Sequence, residues 1–364
     1  MKVLLLIPLM FAWVSWSPVR SVSDPKKDCA TWCDNIEAIN QKHQKSPGKL
    51  REKDLADKLS FKAKKALEAL LALEDPAVAV PLLQQAGEAA LDLALVESFQ
   101  AICARMEDLQ PDSSDALGSA YATDRYLLRG LGGLDEDYLR HFGAVLDAIL
   151  DTYREVFGFT EWSKVPGKLL RVRIHVVERI MRPPHFAPEF PFHSEIDFPV
   201  VDTDRLRSPT ADGKFLLYGL CHELGHVIAM WGRPDFEEDH HAWAHYTGCV
   251  IVERLSKRPD WEENPEFKDL GDKKWRSLDS LREEVKTTAP GFDSKDAVQA
   301  FLLKAHDELG PAALGRAINF HDEKDKRRRV NHVRFYTFEE LRSGLEETVD
   351  KHLRKPMEGW WPRG

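Results

Sequence analysis

Residues 218–232 read YGLCHELGHVIAMWG, with no internal proline, and the 364-residue chain can be ordered around them. On a helix, residues four apart share a face, so His222 and His226 offer two imidazoles to one cation while Glu223 leans over the same spot. Leu220, Leu224, Val227, Ile228 and Met230 supply the apolar flanks of a buried helix. Two histidines and a glutamate in such a place are costly unless something binds them. The H-E-x-x-H spacing fits a zinc hydrolase, where water polarised by the ion loses its proton to a carboxylate that is not a ligand.

Upstream, a strand is expected around Arg125–Arg129. Leu139, Phe142, Val145, Leu146, Ile149, Tyr153 and Val156 give residues 135–157 helical spacing, closed by Gly158. Leu170, Val172, Ile174 and Val176 alternate with Arg171, Arg173, His175 and Val177, which predicts a strand with one buried face. His175 falls on the exposed face and receives no role. Residues 182–191 are rich in proline and aromatics and turn into a strand expected over residues 193–201, and residues 202–213 read as a loop. This order, ending in a helix that carries HELGH, resembles the catalytic half of the zincin metallopeptidases. The resemblance implies a small twisted sheet on the motif helix, with His193–Ile196 as an edge strand that pairs with an extended peptide.

The third metal ligand separates the zincin branches. Metzincins carry glycine three and histidine six residues after the second motif histidine, but Ala229 and Gly232 stand there. The next helix reads EEDHHAWAHYTG from Glu237, and Trp243-Ala244-His245-Tyr246 resembles the ligand helix of the gluzincin metallopeptidases, E-G-W-A-H-Y. Aligned so, the gluzincin glutamate falls on His241 and its glycine on Ala242. Histidine is a competent zinc ligand, so the resemblance implies a third ligand at His241, with Glu238, His240 and His245 as alternatives. His245, one turn beyond His241, is also a candidate to orient a ligand or contact substrate. Ala244 is expected to be small because the motif helix approaches there, and Trp243 and Tyr246 are packing residues. Helices are expected over residues 275–285, 294–309, 312–320 and 337–352, the last opened by a capping box at Thr337. They correspond to the helical lobe of gluzincins, which implies an oxyanion donor among His332, Arg334 and Tyr336 of NHVRFY.

Residues 1–16 open with Lys2 and an apolar run too short to span a bilayer comfortably, and Ser21 and Ser23 give a small-x-small pattern. Residues 1–23 therefore read as a signal peptide, or alternatively an uncleaved anchor, and imply a secreted or periplasmic protein with no other membrane segment. The full chain has a formal net charge of −9; the leader removes Lys2 and Arg20 and no acid, leaving −11. Such a surface excludes nucleic acid as a partner. The basic run KDKRRR at residues 324–329 lies beside Asp322 and Glu323 and reads as a solvated loop. Five cysteines are too few for a disulfide scaffold; a bridge from Cys29 or Cys33 to Cys103 would staple the N-terminal region, and Cys221 and Cys249 read as packed thiols.

Residues 30–109 show helical spacing in two runs, Leu50–Leu73 and Pro81–Leu109, parted by Asp75-Pro76, so two or three antiparallel helices follow. LEDPAVAVPLL there resembles one copy of a HEAT-type repeat. LQPDSSDALGS, residues 109–119, reads as a linker. The expected organisation is α+β: a helical N-terminal region over residues 24–117, then a zincin-like domain over residues 118–364. The function implied is a secreted zinc metallopeptidase acting on peptide or protein substrates, with Glu223 as general base. The alternative is a catalytically silent zinc-binding protein whose helical N-terminus is an interaction module.

Overall fold

The alternation through Leu170, Val172 and Ile174 becomes β3 (Leu170–Val176), the middle strand of a five-stranded sheet in the computed structural model of the chain. The structure describes residues 24–45, 55–159, 169–176, 185–187, 195–200, 211–228, 230–231, 237–259, 277–291, 294–324, 335–336 and 338–349; the leader expected at residues 1–23 lies outside them. β2 (Tyr126–Leu131) and β5 (Glu195–Val200) flank β3 in parallel, with Leu128 and Ile196 opposite Val172 on either side. β1 (Ser119–Ala122) is antiparallel to β2, and β4 (His185–Ala187) is antiparallel to β5.

That order, β1-β2-β3-β5-β4, corrects one expectation. The strand carrying Ile196 is interior, and among the described residues the edge is β4, formed within the proline-rich stretch expected only to lead into that strand. His193 and Ser194 lie outside the described residues.

The sheet is covered on both faces. Val172, Ile174, Ile196 and Phe198 share a core with α5 (Glu136–Phe157). That helix begins where the Asp135 carboxylate accepts the Tyr138 N–H at 2.8 Å and ends at Gly158, so sequence and structure agree on both termini. On the other face, Ala120, Leu127 and Leu169 pack with the N-terminal helices. Arg171 is consequently buried, 8% exposed, and donates from Nη1 and Nη2 to the Leu91 and Asp92 carbonyls. The second face of β3 is therefore not the solvated one that its alternating pattern predicts. His175 and Arg173 share the Asp197 carboxylate at 3.3 and 3.0 Å.

Four α-helices precede the sheet rather than two or three: α1 (Pro25–Lys45), α2 (Phe61–Leu71), α3 (Pro76–Asp92) and α4 (Val96–Leu109). Ser60 and Asp75 cap α2 and α3 through their side chains. The unpredicted break follows Asp92. There Ala94 adopts φ 53°, the Leu95 N–H bonds the Ala90 carbonyl at 2.9 Å and the Ala94 N–H bonds Leu91 at 3.0 Å. This is a Schellman closure with alanine in the left-handed position glycine usually fills.

All five cysteines are free thiols, so the bridge to Cys103 is not formed. Cys29 contacts the Leu82 carbonyl and Gln85, whereas Cys103 lies against the Gly118 carbonyl. Beyond the centre of the chain come α8 (Leu278–Glu284), α9 (Lys295–Leu309), α10 (Pro311–Lys324) and α11 (Phe338–Thr348), with Ser277 and Ser294 capping α8 and α9. Among the described residues no helix is long and apolar enough to cross a membrane.

Candidate metal centre

The HELGH segment lies on α6 (Ala211–Ile228), which packs against α7 (Glu237–Leu255) and against β4 and β5. α6 stops at Ile228, and Met230, read above as a helical flank, is in β6 (Met230–Trp231). β6 pairs in parallel with β7 (Phe335–Tyr336), setting Trp231 beside Tyr336.

The crossing of α6 and α7 is unusually close, and two glycines permit it. A Cβ on Gly225 would lie 2.4 Å from Thr247 Oγ1 and 2.9 Å from Ala244 Cα. One on Gly248 would lie 3.2 Å from Tyr218 and 3.5 Å from the His222 backbone. Ala244 is fully buried, as the small residue expected at this approach. From the opposite side the Tyr153 hydroxyl of α5 donates to the Cys221 carbonyl at 2.5 Å, tying the motif helix to the core next to its first histidine. Burial pushes the Tyr153 phenol and the Cys221 thiol well up from their ordinary values.

This crossing brings three imidazoles together. The ligand atoms of His222, His226 and His241 lie within 4.8 Å of one another, an arrangement that could hold a metal ion. His222 Nε2 and His226 Nε2 are 3.2 Å apart, their rings nearly perpendicular at 86°. His226 and His241 meet at 88°, with ring centroids 4.9 Å apart. His222 and His226 are buried, while His241 is exposed, so the cluster is open on the α7 side. Glu223 is 7% exposed, and its Oε1 lies 3.9 Å from His222 Nε2. It stands beside the imidazole cluster and outside it.

Of the alternatives on α7, His245 does not join this donor cluster. Its ring centroid is 4.5 Å from that of His222, and its Nδ1 is 2.7 Å from the Tyr218 hydroxyl. The side chains of Glu238 and His240 lie outside the described residues, as do His332 and Arg334. Tyr336 is described only through its backbone in β7. Tyr218 is the site residue that sequence reasoning passed over. Its signal was available, since it precedes His222 by four positions and so shares the histidine face of α6.

The opposite face of α7 is aromatic. Trp243 and Tyr246 are fully buried around Phe157, at centroid distances of 5.8 and 6.2 Å. The Tyr246 hydroxyl lies 3.0 Å from His306 Nδ1 at the end of α9. Burial holds the His306 imidazole below its ordinary pKa. Compared with protein families, curated proteins and solved structures, the chain finds no match.

Proposed function

We propose that the chain is a zinc-dependent peptidase of gluzincin-like, zincin-fold type, in which His222, His226 and His241 hold the ion and Glu223 is the general base. The observation that carries the reading is the convergence of three imidazoles from two helices beside one buried carboxylate. Two nitrogens bound about 2.05 Å from one tetrahedral zinc lie about 3.3 Å apart, and His222 Nε2 and His226 Nε2 are separated by 3.2 Å. Three protein donors with one open side match catalytic rather than structural zinc sites, which close all four positions.

Zinc bound there supplies Lewis acidity, polarising a substrate carbonyl and bringing the pKa of water down to roughly 7. The remaining work falls to this chain's own groups. Glu223 accepts a proton on its carboxylate from the attacking water and returns it to the departing amide nitrogen. Its near-exclusion from solvent keeps bulk water from competing for that proton. The outer edge of β4, beside α6, offers backbone groups to an extended peptide.

The test pairs metal analysis with turnover. Purified protein should contain equimolar zinc, and Glu223→Gln should keep it while cleavage of a quenched-fluorescent peptide library falls about 10²–10⁴-fold. A metal-free wild type, or a Glu223→Gln variant as active as wild type, rules the reading out.

A further inference from the structure

We propose that His245 is the donor that binds the carbonyl oxygen of the scissile bond as it gains charge, and that Tyr218 fixes its orientation and tautomer; this rests on the peptidase reading above. The two residues come from different helices. Tyr218 stands one turn before His222 on α6 and His245 one turn beyond His241 on α7, so both extend the histidine-bearing faces in the same direction. Their rings are nearly parallel, at 15° with centroids 6.4 Å apart, and the hydroxyl meets Nδ1 at 2.7 Å.

The direction of that hydrogen bond follows from chemistry. A phenol is the better donor of the two and an imidazole nitrogen the better acceptor, so Tyr218 O–H donates to Nδ1. The imidazole then carries its own hydrogen on Nε2. A nitrogen bearing hydrogen is not a metal ligand. It is the group an oxyanion needs.

Position completes the argument. The His245 ring borders that of His222 at 4.5 Å and that of His241 at 6.2 Å, which sets the imidazole beside the cluster. Tyr218 is buried and His245 only partly so, as befits a support and the group it presents to substrate. No bond to His245 forms or breaks; it donates one hydrogen bond that strengthens as negative charge collects on the oxygen.

The probe is acetohydroxamate, a small oxyanion, titrated into the zinc-loaded full chain by calorimetry. His245→Ala should keep equimolar zinc yet bind acetohydroxamate about 10- to 100-fold more weakly, and His245→Gln, which restores an N–H, should recover part of that loss. Nitrogen-15 spectra of the histidine rings should show wild-type His245 with hydrogen on Nε2, and Tyr218→Phe should shift it toward the other tautomer with zinc retained. Unchanged acetohydroxamate affinity in His245→Ala, loss of zinc from that variant, or hydrogen on Nδ1 in the wild type each overturns the proposal. If the wild type takes up zinc and Glu223→Gln behaves as expected, such a result removes the role of His245 alone. A wild type that takes up no zinc removes the peptidase reading with it.

Discussion

Substituting Gly225 by alanine tests whether the helix crossing sets the site. In an unobstructed helix the change would stabilise by about 1 kcal/mol. Here the new Cβ falls 2.4 Å from Thr247 Oγ1 and 2.9 Å from Ala244 Cα, short of the 3.4 Å of ordinary contact by 1.0 and 0.5 Å. The hydroxyl cannot swing away freely, because it bonds the Trp243 carbonyl at 3.0 Å, and losing that bond costs about 1 kcal/mol. The Ala244 backbone cannot rotate at all. Overpacking of this kind costs about 1–3 kcal/mol, so the net destabilisation is about 1–3 kcal/mol after the helical gain. Relief requires α6 and α7 to part by roughly 0.5 Å, and metal sites tolerate only about 0.2 Å in their bond lengths. Zinc affinity should therefore fall by about 10–100-fold, as when a group supporting a ligand is removed. Urea unfolding with and without zinc, together with competition against a chromophoric chelator, measures both quantities. A Gly225→Ala protein more stable than wild type, with unchanged zinc affinity, would refute the reasoning.

Other perturbations have equally definite outcomes. Ala94→Gly relieves the φ of 53° and should raise stability by about 0.5–1 kcal/mol in urea unfolding, without altering zinc uptake. His306 is held neutral by burial, with Asp307 acting in the opposite sense, Arg282 reinforcing the shift and Glu253 opposing it. Because its folded pKa lies below its ordinary value of 6.5, the unfolded chain binds a proton the folded chain does not, and stability should fall as pH drops below 6.5. His306→Gln should flatten that slope between about pH 7.5 and 5.5 in denaturation midpoints. Stripping zinc with a chelator should lower stability by about 2.7 kcal/mol relative to protein held at a free zinc concentration about 100-fold above Kd, seen as a thermal shift of roughly 5 °C.

What the sequence made legible follows the strength of each local signal. α5 was readable to its termini, because Asp135 and Gly158 are strong caps on an unbroken apolar stripe. The α3–α4 break was hidden, because an alanine occupies a position whose usual marker is glycine. Strand β4 was missed since it is three residues long within a proline-rich stretch and exists through its pairing with β5. The burial of Arg171 was equally invisible: an arginine alternating with apolar residues signals solvent, unless another part of the chain brings carbonyls to receive it. The α6 histidines needed only a period of four, whereas His241 was reached through the resemblance of Trp243-Ala244-His245-Tyr246 to a gluzincin ligand helix, and the crossing that Gly225 and Gly248 permit is what brings it to them. Tyr218 and His245 are 27 positions apart, beyond any helical spacing rule.

The composition of the donor set has an electrostatic consequence under the proposed reading. Three neutral imidazoles leave a divalent ion's charge whole, whereas two histidines and a carboxylate reduce it by one. At an effective dielectric near 20, one unit of charge at about 4 Å is worth about 4 kcal/mol, enough to govern how strongly the site attracts anions and acidifies water. Glu223 then acts as base and as the nearest compensating charge, which explains why a carboxylate is tolerated at 7% exposure beside His222. Neutralising it as glutamine should therefore do more than abolish proton transfer: by removing the opposing charge, it should tighten the binding of small anions to the loaded site.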